Sequence, residues 1–318
     1  MTKSPFIRAG ILASACFINL GAATVEVDAR LPEYTKVSGV SGNLNSIGSD
    51  TLNNVMAYWA ESFNTIYPNV NIGVEGKGSS TAPPALIEGT AQLGPMSREM
   101  TQKELDDFEK KFHYKPTAIK VAIDALAVFV HKDNPTESLT LAQVDALFSK
   151  TRKREAPADL TDWGMITAAW QGKPVSLYGR NSASGTYGYF KEHALKKGDY
   201  KATVKEQPGS SAVVQGVASD LNGVGYSGIG YLTSGVKALK LADKSAPVAG
   251  TYENCLNGTY PMARFLYVYV NKKPNEAMQP LVTEFIKFIE SKQGQEIVIK
   301  DGYFPLRSEM ITRLNGPQ

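Results

Sequence analysis

Cysteine and histidine are both scarce in this sequence of 318 residues, which has two of the first and three of the second. Cys16 lies in an N-terminal leader, so the exported chain keeps Cys255 alone and cannot close an intrachain disulfide. Cys255 lies in a turn-like segment with no histidine nearby, and we expect an unreactive thiol there. His113, His131 and His193 lie outside every hydroxyl-rich loop, and no His/Asp/Glu cluster has metal-ligand spacing. We therefore expect neither a metal nor any other cofactor.

Basic residues exceed acidic residues only slightly in number. The net charge is +3, with 20% charged and 42% hydrophobic residues. So small an excess gives no reason to expect nucleic acid or an anionic membrane as a partner. The composition is typical of a globular protein without repeats or low-complexity segments, and 318 residues predict two domains.

The first 29 residues have the features of a secretory signal peptide. Lys3 and Arg8 precede the mostly apolar run Ala9–Ala23, which is too short to span a membrane. Val27-Asp28-Ala29 offers small residues at the −3 and −1 positions that signal peptidase prefers. We therefore predict cleavage after Ala29 and a periplasmic location for the mature protein.

Cleavage after Ala29 removes Lys3 and Arg8 together with two acidic residues, so the net charge stays at +3. Lipid attachment at Cys16 is a weaker alternative. The preceding residues Ala13-Ser14-Ala15 lack the leucine that such sites favour, and the apolar run continues past the cysteine.

The segment Arg180–Thr186 has the composition of an anion-binding loop. It combines one guanidinium, three hydroxyls and a glycine directly before a helical pattern. The start of a helix carries unpaired N–H groups and a partial positive charge, so an oxyanion finds donors already directed at it. Gly185 lets the backbone come close to a ligand, and Arg180 can add two parallel charge-assisted hydrogen bonds.

The same pattern of strand, hydroxyl-rich loop and helix occurs three more times. Gly48–Thr51 precedes a helix with apolar i, i+3, i+4 spacing, and Gly78–Thr81 precedes a helix opened by two prolines. Ser97-Arg98 precedes the capping box that begins at Thr101. A helix cap alone would explain any single loop, but four similar loops favour a shared site. The candidate residues of the four loops are Ser49, Asp50, Thr51, Ser79, Ser80, Ser97, Arg98, Arg180, Ser182, Ser184, Gly185 and Thr186.

Strands that alternate with helices predict an α/β fold with a mostly parallel sheet and ligands at the carboxyl ends of the strands. One long apolar strand, Ile119–Val130, is interrupted by Asp124. A buried carboxylate is costly unless it is paired or hydrogen-bonded. Asp124 is therefore either part of a core ion pair, with Arg98 or Arg180 as partner, or a direct ligand of the anion.

Taken together, the four loops resemble those of the periplasmic phosphate-binding proteins of high-affinity (Pst-type) phosphate ABC transporters. The resemblance covers nearly all of the mature chain, and the segments Gly179–Phe190 and Leu221–Tyr231 look like the matching stretches of that family. It implies a two-lobed periplasmic-binding-protein (type II) fold, in which each lobe is a mostly parallel sheet flanked by helices. Two strand crossovers, near Asp124–Val130 and Pro261–Val268, are expected to join lobe I (30–125 plus 265–318) to lobe II (126–264).

The resemblance also implies which residues bind phosphate. Arg180, Ser184, Gly185 and Thr186 match the ligand loop of the second lobe. In the first lobe, Ser79 matches a ligand serine, and the contacts of the first loop fall at Asp50 and Thr51. One departure is that Ser97-Arg98 stands where some members have an acceptor aspartate.

The missing aspartate leaves Asp50 or Asp124 as the acceptor carboxylate. Phosphate keeps a proton at neutral pH and sulfate does not, so a carboxylate acceptor rewards phosphate and repels sulfate.

We therefore expect an exported receptor, not an enzyme, that closes on inorganic phosphate by a hinge movement and delivers it to ABC permease subunits in the inner membrane. We expect it to be a monomer. One alternative is a binding protein for another tetrahedral oxyanion, sulfate or molybdate. The other is a secreted phosphoester or acyl hydrolase that uses Ser184 as its nucleophile.

Overall fold

The computed structural model describes residues 25–315, and the side-chain surroundings through Ile311. Most of the predicted leader, including Cys16, lies outside the described residues. The strands are β1 Gly42–Ile47, β2 Val70–Glu75, β3 Gly94–Met96, β4 Thr117–His131, β5 Ser138–Thr140, β6 Ser176–Arg180, β7 Lys205–Gln207, β8 Gly223–Gly228, β9 Val236–Ala238, β10 Lys240–Ala242 and β11 Ala263–Val270. The helices are α1 Asn53–Ile66, α2 Ala82–Glu88, α3 Gln102–Phe112, α4 Leu141–Phe148, α5 Gly185–His193, α6 Ser210–Ala218, α7 Tyr252–Leu256, α8 Pro280–Glu290, α9 Lys292–Lys300 and α10 Ser308–Asn315.

The α/β prediction is confirmed, and the amphipathic pattern of α1 shows why its residues form a helix. Val55, Met56, Trp59 and Phe63 recur at helical spacing and are all fully buried against the sheet. The helix ends at Ile66, before Pro68, which cannot continue it. The strands on either side of α1, β1 and β2, pair in parallel. This strand–helix–strand unit carries the first two hydroxyl-rich loops at one edge.

The largest sheet has the strand order β3-β11-β4-β8-β6-β7, with β9 also paired to β4. Strand β4 is 15 residues long. Its first part, Thr117–Ala125, pairs with β11, and its second part, Leu126–His131, pairs with β8 and β9. The strand therefore passes from one half of the molecule to the other at Ala125–Leu126.

Parallel ladders join β1 to β2, β5 to β10, and β6 to both β7 and β8. The two crossover strands, β4 and β11, pair antiparallel with each of their partners. The alternation of strands and helices predicts the parallel pairs, but it carries no information about the direction of a strand that changes lobes.

Two hydrophobic cores lie on either side of this crossover. The first core contains Trp59 and Phe285, and it extends along β4 as far as Ala122. The second core starts at Ile123 on the same strand and contains Phe148 and Trp163. The molecule therefore has two lobes, each with its own core, and β4 contributes to both.

The C-terminal segment crosses between the lobes a further time. Tyr303 lies in the first core, but Phe304 and Leu306 lie in the second. Phe304 exchanges two backbone hydrogen bonds of 2.9 Å with Ile123, which fixes the crossing beside β4. The prediction assigns 265–318 to lobe I, whereas Phe304, Leu306, Met310 and Ile311 pack against the second core. The apolar side chains that follow bury their surface on the second core, and the two-crossover scheme has no place for them.

Cys255 also lies in a more regular setting than predicted. It is buried in the short helix α7, where a turn-like segment was expected. Burial raises the pKa of its thiol to about 12, so the thiolate form is scarce at neutral pH.

Candidate anion-binding site

The start of α5 is built from the loop Arg180–Thr186. Arg180 is the last residue of β6, and the amide of Ser184 donates to the carbonyl of Asn181 to close the turn. Ser184 is the N-cap: its Oγ accepts hydrogen bonds from the amides of Thr186 at 3.1 Å and Tyr187 at 3.4 Å. The strand end and the helix start are thereby held next to each other, as the sequence predicts.

Hydroxyl groups from three loops of the first lobe meet this helix start. Thr51 Oγ1 and Thr186 Oγ1 are 2.9 Å apart, and Ser79 Oγ lies 3.3 Å from Ser97 Oγ. A Cβ atom on Gly185 would lie only 2.3 Å from Ser79 Oγ and 2.7 Å from Ser97 Oγ. A glycine is needed at this position because the two serine hydroxyls approach its backbone. All four loops therefore converge at one place between the lobes.

A second contact between the lobes lies beside this cluster. The carbonyl of Ala183 accepts hydrogen bonds from the amide of Ser80 at 3.1 Å and from Ser80 Oγ at 3.0 Å. Gly78 has φ +117°, and a Cβ there would lie 2.6 Å from the same carbonyl. The hydroxyl of Ser80 thus contacts the backbone of the opposite lobe.

Arg180 is buried and paired with Asp50 of the opposite lobe. Its NH2 lies 3.1 Å from Asp50 Oδ2, and its NH1 donates to Ser210 Oγ at 2.7 Å. The amide of Ser210 also donates to Asp50 Oδ2, at 2.8 Å. Burial lowers the pKa of Arg180, and the Asp50 carboxylate opposes this effect. Within the described part of the chain, Arg180 Nε has no hydrogen-bond partner, so one buried donor is left over at the site.

A second buried arginine, Arg264, lies in the same cluster. Its Nε and NH2 contact Asp124 Oδ2 at 2.9 and 2.8 Å. Its NH1 donates to the carbonyl of Ser97 at 2.9 Å, and its NH2 donates to Thr186 Oγ1 at 3.0 Å. Arg264 is 5% exposed and Asp124 is 0% exposed, so this is a buried ion pair. The guanidinium joins the crossover strands to one loop from each lobe.

The partner of Asp124 is therefore Arg264, and the two predicted partners were wrong. Arg180 is paired with Asp50. Arg98 forms two hydrogen bonds with Glu104, from NH1 to Oε2 at 2.7 Å and from NH2 to Oε1 at 2.8 Å. Because Glu104 belongs to the capping box of α3, it holds the Arg98 guanidinium at the start of that helix, although the Arg98 side chain lines the same cleft as Arg264.

The remaining predicted residues divide between the cluster and its surroundings. Ser49 is buried, and its amide donates to the carbonyl of Pro95 at 2.7 Å. Ser182 is exposed, in the turn between Arg180 and Ser184. The structure thus brings ten of the thirteen predicted residues into the cluster or the loops that support it. Of the other three, Ser80 lies beside the cluster and is bonded to the opposite backbone, Ser182 is exposed, and Arg98 is bonded to Glu104. The ten are Ser49, Asp50, Thr51, Ser79, Ser97, Asp124, Arg180, Ser184, Gly185 and Thr186.

Two site residues were missed by sequence reasoning, although each left a signal. Arg264 interrupts the apolar strand β11 just as Asp124 interrupts β4, and two unexplained buried charges of opposite sign could have been matched. Ser210 begins α6 after the short strand β7, which is a fifth copy of the strand, hydroxyl and helix pattern.

The cluster holds two guanidinium groups, two carboxylates and several hydroxyls in a mostly buried space. Asp124 uses both oxygens, because Oδ1 also accepts from the amide of Ile229 at 3.0 Å. Asp50 Oδ2 is bound by two donors, whereas Asp50 Oδ1 faces the glycine at position 209. Such an arrangement offers many hydrogen-bond donors and one carboxylate oxygen for a protonated ligand.

An open cleft of about 500 Å³ lies next to the cluster, and Arg264 is among its lining residues. Tyr189 and His193 on α5 also line it, and their rings stack with centroids 4.1 Å apart. Burial lowers the pKa of His193 and raises that of Tyr189 to about 12. The Ser184 hydroxyl, by contrast, is bonded to backbone amides at the start of the helix.

Neither a metal-binding cluster nor a membrane-spanning helix is found in the described part of the chain. Between residues 25 and 315, no three His, Cys, Asp or Glu side chains are grouped so that they could hold a metal ion. None of the helices in that part of the chain is long and apolar enough to cross a membrane.

The sequence of this chain is similar to those of known proteins. The model of the PBP superfamily domain matches residues 35–293. The phosphate-binding protein PstS of Pseudomonas aeruginosa (strain PAO1) is 56% identical over 317 residues, which cover 98% of this chain and 96% of that protein.

Solved structures resemble the chain over most of its length. One is a Clostridium perfringens protein with bound phosphate, assigned as a phosphate ABC transporter substrate-binding protein. It has a TM-score of 0.71 and 26% identity, covering 84% of this chain and 100% of that one. An ABC-type phosphate transport receptor from Vibrio cholerae has a TM-score of 0.64 at 22% identity, covering 83% of this chain and 100% of that one. The second likeness concerns the fold alone.

Proposed function

We propose that this chain, which belongs to the PstS family of phosphate-binding proteins within the PBP superfamily, captures inorganic phosphate between its lobes and delivers it to an ABC permease. The observation that carries this proposal is the meeting of Arg180, Arg264 and the helix start at Gly185 between the lobes. The hydroxyls of Thr51 and Ser79 lie in contact with that helix start. Neutral donors of this kind replace the water around an anion without surrounding it with cations.

In this proposal each group has a separate task. Arg180, with its unpartnered Nε, supplies a charge-assisted hydrogen bond, and Arg264 supplies a second positive charge on the opposite side. Thr51, Ser79 and Thr186 donate from their hydroxyls. Ser49, Ser97 and Ser184 hold the loops in position, because each is bonded to a neighbouring loop or to the helix start. No nucleophile is assigned, and the proposed protein is not an enzyme.

Asp50 is the carboxylate that fits the role of acceptor for the phosphate proton. Asp124 already accepts from Arg264 and from the amide of Ile229, whereas Asp50 keeps one oxygen without a bond to Arg180 or Ser210. We expect Asp50→Asn to reduce the ratio of phosphate to sulfate affinity at neutral pH by at least about tenfold, since the variant no longer repels an ion without a proton. Competition binding with labelled phosphate measures the ratio. An unchanged ratio would remove Asp50 from this role.

Calorimetric titration of phosphate into an Arg180→Ala variant tests the site itself. Losing a buried charged contact costs roughly 2–5 kcal/mol, so we expect phosphate affinity to fall by at least about 30-fold. Arg98→Ala is the matched control, because Arg98 is bonded to Glu104 outside the cluster. Equal affinities for the parent and the Arg180 variant, or equal losses in both variants, would contradict the proposed site.

The same protein preparation separates the alternative functions. A chromogenic phosphate ester detects a hydrolase, and turnover that disappears in a Ser184→Ala variant would favour that function. Against it, the Ser184 hydroxyl is bonded to backbone amides and His193 stacks on Tyr189. Displacement of bound phosphate by equal concentrations of sulfate or molybdate would instead point to another oxyanion as the natural ligand.

The location and the partners of the protein are proposed from its family membership. We propose an extracytoplasmic location, with permease subunits of the inner membrane as partners. The monomeric state stays a prediction, which sedimentation or scattering would measure.

A further inference from the structure

The segment Val25–Leu31 is held in place by contacts with the C-terminal part of the chain. Asp28 Oδ2 accepts a hydrogen bond of 3.1 Å from the amide of Ser308, the first residue of α10. The amide of Leu31 donates to the carbonyl of Asp28 at 3.0 Å, and Val25 packs against the second core. Terminal segments are usually poorly ordered unless such contacts hold them. Residues 25–31 are therefore an integrated part of the folded protein.

Asp28 is the centre of these contacts. Its side chain is 12% exposed, and Arg30 donates to it from the backbone amide, from Nε and from NH2. These hydrogen bonds hold the pKa of Asp28 well below its usual range. Arg30 also forms an ion pair with Glu309 in the first turn of α10. An ionised carboxylate at the start of a helix satisfies a free amide and interacts favourably with the helix dipole.

Cleavage after Ala29 conflicts with this arrangement. It would cut the turn between Asp28 and Leu31 and would remove both Asp28 and Val25 from the mature protein. The sequence offers a second site, because the apolar run ends in Gly21-Ala22-Ala23, with small residues at the −3 and −1 positions.

We propose that signal peptidase cleaves after Ala23, so that the mature chain begins at Thr24 and keeps Val25–Ala29 as a strap on α10. The leader then removes only Lys3 and Arg8, which leaves 32 basic and 31 acidic residues and a net charge of +1. The strap has a place in the fold, since α10 follows the crossing at Tyr303–Phe304 and lies against the second lobe. The strap is thereby bonded to a helix that contacts the crossover strand β4.

Intact-mass measurement and N-terminal sequencing of the exported protein test the cleavage site. The full chain is expressed with its own leader in a Gram-negative host and recovered from the periplasm. The two sites predict mature chains that differ by the six residues 24–29, which a mass spectrum resolves at once. A first residue at Thr24 or Val25 supports the proposal. A first residue after Val25, or a chain that keeps its leader, overturns it.

Thermal unfolding of the exported protein tests the role of the strap. We expect Asp28→Ala to lower Tm by about 2 °C, the shift that loss of a helix cap gives in a chain of this length. Glu26→Ala is the matched control, because Glu26 is an exposed acid two residues away. Equal Tm values for the two variants would overturn the strap. Phosphate affinity should be unchanged in both, so failure of the binding proposal would leave this result unaffected.

Discussion

Replacing Arg264 and Asp124 singly and together separates the binding role of their ion pair from its structural role. Arg264→Gln leaves the fully buried Asp124 carboxylate with the amide of Ile229 as its remaining donor. Asp124→Asn leaves the Arg264 guanidinium with two neutral acceptors, the carbonyl of Ser97 and the hydroxyl of Thr186. In the double variant two amides face each other and no charge is left unpaired.

The expected magnitudes differ for folding and for binding. Breaking a buried ion pair by removing one partner costs roughly 3–5 kcal/mol, so Arg264→Gln should lower the free energy of unfolding by about that amount. The double variant should be less destabilised than Arg264→Gln alone, because its buried charges are removed together. Phosphate affinity should fall by about 10- to 100-fold in both, since each lacks the guanidinium that lies against Thr186.

Urea unfolding followed by tryptophan fluorescence gives the stabilities, and calorimetry gives the phosphate affinities. Lys103→Gln with Asp107→Asn is the control pair, an exposed ion pair on α3 whose loss should change neither quantity. If the double variant bound phosphate as tightly as the parent, Arg264 would serve the fold alone. If the two destabilisations simply added, the buried pair would contribute no coupling, and the reasoning about Asp124 would fail.

Three further changes have defined outcomes. Gly185→Ala should weaken phosphate binding by at least about tenfold, because its Cβ would lie 2.3 Å from Ser79 Oγ. Gly188→Ala on the same helix should bind phosphate normally, because the nearest atom to its Cβ would be 3.4 Å away. Calorimetry measures the phosphate affinity of both variants. Burial raises the pKa of Asp301 to about 7 from 3.8, so the folded protein loses stability as pH rises between these values, and Asp301→Asn should be more stable than the parent by about 1–2 kcal/mol at pH 8 and by little at pH 4, as urea unfolding would show. Cys255 should resist alkylation at pH 8 until the protein is unfolded, because burial raises the pKa of its thiol to about 12, and mass spectrometry detects the adduct.

The parts of the site that could be predicted are those fixed by local sequence. The capping box at Thr101 forms as expected, because cap and partner lie three residues apart. The convergence of the three loops of the first lobe was predictable too, since parallel strands bring their carboxyl ends to one edge of a sheet. The approach of the fourth loop depends on how the two lobes meet. Ser184 acts as an N-cap because it directly precedes the first residue of α5.

The parts that could not be predicted depend on contacts between distant residues. Arg264 and Asp124 are 140 residues apart, and each looks like an isolated charge in an apolar strand until the strands pair. Arg98 shows the opposite case, because the loop pattern suggests a ligand while a glutamate six residues further on bonds its guanidinium. No local sequence pattern predicts the crossing at Tyr303–Phe304, because the two side chains pack against cores that are built from distant residues.

The groups of the site bond to one another across the lobes, and this determines how binding free energy arises. The hydroxyl pair Thr51–Thr186 and the ion pair Asp50–Arg180 each join one lobe to the other. An entering anion must compete with these bonds, so its affinity is the difference between bonds gained and bonds lost. A neutral hydroxyl pair contributes only about 1 kcal/mol, whereas a hydrogen bond to a charged oxygen contributes about 1.5–3 kcal/mol. Each exchange of a hydroxyl from its partner to phosphate is therefore favourable, and the closed arrangement of the lobes can persist while its bonds are transferred to the ligand.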